Sequence, residues 1–226
     1  MPVRVVVQHG PRDKKVAAVA VDWPGWSRGA RTAGDAVDTL DAYRERYRPV
    51  AQRVGLATEL DASGGLEVVE DHVGVGSTDY WGISFAPSSF EHGPMTDDDL
   101  DRKLGLLEAA WSHFDEVGAR VSPEMAKGPR GGGRDRDEII RHVLLWEQAD
   151  LARKVGVETP VDASADPEGL RIHREPFLAA LREYGVEGRM ARGRNWTIAL
   201  LIRHTAYHAL DHAWEMEDKD LTSPTG

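Results

Sequence analysis

The chain has 226 residues, a formal net charge of −10 and no cysteine, with 41% hydrophobic and 29% charged residues. This composition is typical of a globular protein with a sizeable core, and the acidic balance argues against non-specific binding to nucleic acid or to an anionic membrane. The lack of cysteine excludes disulfides, thiolate ligands and a cysteine nucleophile, so any bound metal must take nitrogen and oxygen ligands.

The chain also lacks the features that direct a protein to a membrane. It has no apolar run long enough to span a bilayer, and its first residues, MPVRVVVQHGPRD, have neither the apolar core nor the cleavage site of a signal peptide. We therefore expect a cytoplasmic protein.

The first third of the chain has the pattern of a small α/β unit. Residues 3–7 and 16–21 are β-branched runs on either side of a turn-like segment, which predicts an antiparallel hairpin. A Pro-Gly turn at residues 22–26 precedes a predicted helix over residues 34–54, and residues 66–69 form a predicted third strand. This ββαβ order, with a Pro-Gly turn before the helix, resembles the HicB-like fold, whose domains usually serve interactions.

Residues 73–94 are rich in glycine, serine, proline and aromatic residues, as expected of a connector between two domains. We expect Trp81, Phe85 and Phe90 to fill the join between these domains. The predicted domains are an α/β unit with its connector, residues 1–93, and a helical domain, residues 94–226.

From Thr96 onward the apolar residues follow a helical period. Helices are predicted over residues 96–121, 136–155, 167–184, where Gly185 ends the helix, and 195–218. Four amphipathic helices in this length indicate a helix bundle. The predicted fold class is therefore α+β, a small ββαβ unit followed by a four-helix bundle.

The fourth predicted helix carries His204, His208 and His212 at intervals of four residues, which places them on one face. Leu201, Thr205, His208 and His212 follow the spacing of an inward-facing seam. Buried imidazoles need partners, and a divalent metal is one such partner. The alternative is that these rings are hydrogen-bonded parts of the core.

A third ligand is predicted on the second helix, where His142 lies on the inward face. Bundles form metal sites from inward residues of facing helices, and catalytic zinc sites often combine three protein ligands with an open position. The predicted ligands are His142, His208 and His212, although His204 could replace His212.

This pattern, a histidine early in helix two and His-x-x-x-His late in helix four, resembles the DinB-like superfamily of metal-binding four-helix bundles. That superfamily includes mycothiol-dependent maleylpyruvate isomerases and bacillithiol S-transferases. The resemblance covers residues 96–218. It implies a divalent metal (zinc, nickel or iron) on His142, His208 and His212, frequent homodimers, and low-molecular-weight-thiol chemistry.

Several other residues are candidates for the chemistry around that metal. Asp211, Glu215 and Tyr207, which neighbour the histidine pair, are candidate acid–base groups. The glycine-rich loop over residues 127–134 precedes a helix start, so Arg130 and Arg134 are candidates for binding an anionic group of a cosubstrate. The alternative for this loop is a solvated connection.

These features favour a metal-dependent enzyme of the thiol-dependent transferase or isomerase type that acts on a small molecule. A metal-dependent hydrolase and a non-enzymatic, metal-stabilised bundle whose N-terminal unit binds a partner remain alternatives. The acidic chain has no basic stripe, which argues against nucleic-acid binding. The other histidines are expected outside the metal site: His9, His72 and His92 in turns or loops, and His113 and His173 on polar helix faces.

Overall fold

The computed structural model, which describes residues 1–129, 132–160, 167–193 and 195–222, joins an N-terminal four-stranded sheet to a helical C-terminal part, as the predicted α+β class requires. The strands are β1 Val3–His9, β2 Val16–Ala20, β3 Ser27–Ala30 and β4 Leu66–Val73. The α-helices in these ranges are α1 Ala33–Ala42, α2 Arg44–Arg53, α3 Ala57–Asp61, α4 Gly76–Trp81, α5 Asp97–Arg120, α6 Arg136–Trp146, α7 Pro167–Glu187 and α8 Ile198–Asp218.

The sheet has the strand order β3-β2-β1-β4 and contains the predicted antiparallel hairpin of β1 and β2. β4 lies parallel to β1, with a register shift between Val5 and Val6. The prediction missed β3, because its four residues, SRGA, have no alternating apolar pattern. His9 and His72 were expected in turns or loops, and this was wrong, because His9 ends β1 and His72 lies in β4.

The helix predicted over residues 34–54 is divided at Tyr43 into α1 and α2. Pro49 lies inside α2, where it cannot donate a backbone hydrogen bond and its ring crowds the carbonyl of the residue four positions earlier. Thr32 caps α1 as predicted, since its hydroxyl accepts from the Asp35 amide at 3.2 Å.

The sheet and the helices share one continuous hydrophobic core. Trp26 and Tyr47 stack in it with ring centroids 5.5 Å apart, and the same cluster includes Leu107 of α5 and Trp214 of α8. The division of the chain at residue 93 stays a prediction. Of the three aromatics expected at the join, Phe85 packs on His204 at 4.8 Å, whereas Trp81 and Phe90 are 60% and 42% exposed. The expectation was therefore wrong for these two residues.

The helical part differs from the prediction mainly at helix ends. α6 continues into a π-helical turn, Glu147–Leu151, and a 3-10 turn, Ala152–Val155. α7 runs past Gly185 and ends before Gly188, whose φ of +65° suits a helix terminus. None of the helices in the described ranges combines the length and hydropathy needed to cross a bilayer.

Candidate metal centre

The candidate site is built on α8, which begins at residue 198 rather than 195. Thr197 caps it, with its hydroxyl accepting from the Leu200 amide at 3.1 Å. No glycine or proline interrupts the helix, and it packs against α5, α6 and α7. These neighbours bury most of the helix, and His208 and His212 lie on the face that meets His142 of α6.

His142 of α6 meets His208 and His212 of α8 at one point, and we call these residues the histidine trio. One ring nitrogen from each lies within 4.8 Å of the other two, and the Nε2 atoms of His142 and His208 are 3.3 Å apart. Zinc–nitrogen bonds of about 2.0–2.1 Å in tetrahedral geometry place ligand nitrogens about 3.3–3.4 Å apart. The spacing in the trio therefore fits a small divalent cation after minor closure.

The rings of His142 and His208 are uncharged, which is the protonation state that a metal ligand needs. Burial, followed by the charge of Arg134, lowers the pKa of His142 to about 4. Burial, followed by the neighbouring His212, lowers the pKa of His208 to about 2. Both rings are therefore neutral at neutral pH, and a neutral imidazole presents the lone pair that binds a metal.

Glu215 fixes the third ring. Its Oε2 lies 2.6 Å from His212 Nδ1, and Lys219 bonds to the other carboxylate oxygen. The hydrogen bond from His212 is the main reason that the pKa of Glu215 falls to about 2. An ionised carboxylate only accepts, so His212 Nδ1 donates, and Nε2 is the ring nitrogen left to face the centre of the trio. Carboxylates commonly orient metal-binding histidines in this way.

Asp211 and Tyr207 belong to a different cluster, on the side of α8 that faces the sheet. Arg28 of β3 donates to Asp211 at 2.7 Å, and its guanidinium lies 3.7 Å from the centre of the Tyr43 ring. Tyr207 is buried beside Asp211, and burial raises its pKa. The acid–base roles suggested for these two residues stay predictions.

His204 lies outside the trio, one turn before His208. Its ring centroid is 4.8 Å from that of Phe85 and 5.5 Å from that of Trp196. Burial lowers the pKa of His204 to about 3, so this ring is also neutral. The group of converging nitrogens therefore contains the preferred residue, His212, and not its alternative.

The loop before α6 is described only in part, and Arg130 lies outside the described residues. Arg134 is exposed, and its charge contributes to the lowered pKa of His142, so it lies on the same side of the bundle as the trio. The helix start is already occupied, because Glu138 accepts from the Asp135 amide at 2.9 Å and Lys127 pairs with Asp135. This arrangement leaves Arg134 as the better candidate for binding an anion.

The expectation that His113 and His173 lie on polar helix faces was wrong, since both are buried. Burial lowers the pKa of His113. His173 Nδ1 is 3.0 Å from Thr159 Oγ1, and His173 Nε2 is 3.3 Å from Glu147 Oε1. Glu147 lies in the π-helical turn, where an extra residue shifts the buried face, and a 3.6-residue period does not foresee that shift.

No protein-family model, curated protein or solved structure matches this chain.

Proposed function

We propose that this protein binds a divalent metal ion through His142, His208 and His212. We propose further that it is a metal-dependent enzyme that acts on a small molecule. The observation that carries the proposal is the convergence of three ring nitrogens within 4.8 Å of one another. Three nitrogen ligands leave a tetrahedral ion one position for a substrate or water. A bound divalent cation would lower the pKa of a thiol or water in that position.

The reaction type follows from the resemblance to the DinB-like superfamily, which favours a thiol-dependent transferase or isomerase. The surroundings of the trio suit a small cosubstrate: His142 and His208 are only half-buried, and Trp146 is 42% exposed, with its ring centroid 6.3 Å from that of His208. Arg134 supplies a positive charge nearby that suits a carboxylate of the cosubstrate. Glu215 acts in this proposal as the group that orients His212.

Elemental analysis of the purified protein tests the metal site. Wild type should carry about one divalent ion per chain, with zinc expected first. His208→Ala should lose the ion, and its helical circular dichroism should persist because apolar burial stabilises the bundle. His92→Ala, which changes an exposed histidine, is the matched control and should retain the ion. A metal content in His208→Ala equal to that of wild type would refute the site. His204→Ala tests whether His204 replaces His212 as a ligand.

Cobalt substitution then separates thiol chemistry from hydrolysis. A cobalt-loaded protein that binds a thiol such as N-acetylcysteine at the ion should develop a thiolate-to-cobalt charge-transfer band in the near ultraviolet. The same experiment with N-acetylserine is the control, because its hydroxyl gives no such band. Loaded protein that shows no band at any thiol concentration would favour the hydrolase over the transferase.

A further inference from the structure

Two exposed apolar side chains lie beside the histidine trio. Leu145 and Trp146, at the end of α6, are 37% and 42% exposed. Each residue of an α-helix turns the chain by about 100°, so these two lie one turn beyond His142, about 60° to one side of it and about 40° to the other. Side chains on a helix lean toward its N-terminus, so both lean back toward the turn that carries His142. The Trp146 ring reaches the trio, with its centroid 6.3 Å from that of His208.

The trio is accessible from the side on which these two residues lie. His142 and His208 are half-buried, whereas His212 is only 8% exposed. A ligand therefore approaches the ring nitrogens from the side of His142 and His208. The ring of Trp146 borders this approach, because it packs against His208 and still remains 42% exposed.

The main chain at Trp146 is held in place from the interior. The next residue, Glu147, begins the π-helical turn and is buried, and its carboxylate lies 3.3 Å from both Arg174 Nε and His173 Nε2. Such π-helical turns often occur at functional sites. A tryptophan on a fixed main chain can contact an apolar ligand group at a lower cost in entropy than a side chain on a mobile loop.

An exposed tryptophan favours an aromatic group in the ligand. The transfer of an aromatic ring from water onto apolar side chains is favourable, and two aromatic rings attract each other beyond the gain from burial. Trp146 lies four residues past His142, which is roughly 6 Å along the helix axis. A ligand atom at the centre of the trio and a ring on Trp146 are therefore close enough to belong to one small molecule.

We propose that the substrate at the metal centre carries an aromatic ring next to its metal-binding group, and that Trp146 and Leu145 select it by packing against this ring. The inference rests on the proposed function and deepens it, because it names the class of substrate. Arg134 precedes α6, at the opposite end from Trp146, so an anionic group of the same substrate points away from the ring.

Two hydroxamates test the proposal, because they share the metal-binding group and differ in what is attached to it. The wild-type protein is loaded with cobalt, and each hydroxamate is titrated while the visible absorption of the ion reports binding. Benzohydroxamate should bind about tenfold or more tightly than acetohydroxamate, as expected for partial burial of a phenyl ring. Equal affinities for the two probes would overturn the proposal.

Two variants of Trp146 assign this preference to its ring. Trp146→Ala should lower the ratio of the two affinities by about tenfold, whereas Trp146→Phe keeps an aromatic ring and should retain most of the ratio. Trp81→Ala is the matched control, since this tryptophan of α4 is 60% exposed and its ring contacts Tyr80 instead. The control should have the wild-type ratio. An unchanged ratio in Trp146→Ala would overturn the proposal.

Leu145→Ala removes the apolar group on the other side of His142. It should lower the ratio by about threefold, as expected for a leucine that is partly covered by the ligand. This variant decides the matter if Trp146→Ala does not fold, and an unchanged ratio in it would then overturn the proposal.

The experiment separates a failure of this inference from a failure of the proposed function. Wild-type protein that binds no cobalt would refute the metal centre, and the inference with it. Protein that binds cobalt and both hydroxamates, but without a preference that depends on Trp146, would refute the inference alone.

Discussion

The histidine trio and the cluster of Glu147, His173 and Arg174 both place ionisable side chains in the helical part, but they differ in how charge is balanced. In the second cluster, which we call the paired cluster, the buried carboxylate of Glu147 lies 3.3 Å from both Arg174 Nε and His173 Nε2. The trio brings together three bases, and among the residues the structure describes, the carboxylate bonded to it is that of Glu215, at 2.6 Å from His212.

The two clusters show how charge balance separates structural groups from candidate ligands. Burial alone would raise the pKa of Glu147, but Arg174 and His173 outweigh it, and the pKa is lowered. The paired cluster thus supplies its own counter-charges. In the trio, burial holds the pKa of His208 and of His142 low, which leaves lone pairs facing a common point. Such a group gains most from a cation supplied from outside.

The largest expected effect comes from breaking the paired cluster. Glu147→Ala leaves the buried His173 without its carboxylate and leaves Arg174 with Asp115 as its remaining partner, so the free energy of unfolding should fall by about 3 kcal/mol, the lower end of the cost of breaking a buried pair. Urea denaturation followed by circular dichroism measures this change. Glu168→Ala is the control, because that carboxylate also pairs with an arginine of α7 but is exposed, and it should destabilise the protein far less. Similar losses in the two variants would contradict the structural role of the paired cluster.

The next effect concerns Glu215, the carboxylate bonded to His212 of the trio. Glu215→Ala removes the acceptor that orients His212, so the affinity for zinc should fall about 10- to 100-fold, as is usual for groups that hold metal ligands. Competition with a chelating dye measures the affinity. Glu217→Ala, on the same helix, removes a carboxylate that pairs with Arg46 and Arg120 instead, and its zinc affinity should match that of wild type. An unchanged affinity in Glu215→Ala would mean that this carboxylate does not support the site.

A smaller effect is expected from acid on the paired cluster. The pKa of Glu147 is lower in the folded protein than in the unfolded chain. Its contribution to the free energy of unfolding is therefore fully present above the unfolded pKa of about 4.3. That contribution is lost as the pH falls through the folded pKa. Glutamine cannot be protonated in this range, so the urea midpoint of Glu147→Gln should change less than that of wild type between pH 5 and pH 3. These two pH values lie about one unit above and about one unit below the unfolded pKa. Parallel pH curves for the two proteins would count against the pairing.

Sequence periodicity was informative wherever a regular helix presents a continuous face. His208 and His212 lie one turn apart on α8, as their four-residue interval predicted. The third member of the trio is His142, which the predicted inward face of α6 had indicated. Sequence alone could not foresee the paired cluster, because the π-helical turn rotates Glu147 into the interior and because His173 meets Thr159 across a loop.

The same limit explains what the sequence missed in the N-terminal part. The strand β3 is only four residues long and is held by its pairing with β2, which no local pattern records. The contact of Arg28 with Asp211 joins residues 183 positions apart, so the placement of Asp211 toward the sheet depended on tertiary packing. Long-range contacts of this kind decide which neighbours of the histidine pair face the trio and which face the sheet.

The smallest expected effect is on the metal-free protein when one member of the trio is removed. His142 is half-buried, and the bond shown for its ring is the 3.3 Å contact with His208, so His142→Ala should change the unfolding free energy by no more than about 0.5 kcal/mol in the presence of a chelator. With zinc at a free concentration of 100 times its dissociation constant, wild type should gain about 2.7 kcal/mol by linkage, and the variant should gain almost nothing at that same concentration. Urea midpoints with and without zinc measure both quantities. A loss of several kcal/mol in the metal-free variant would instead mean that the trio, like the paired cluster, stabilises the bundle without a metal.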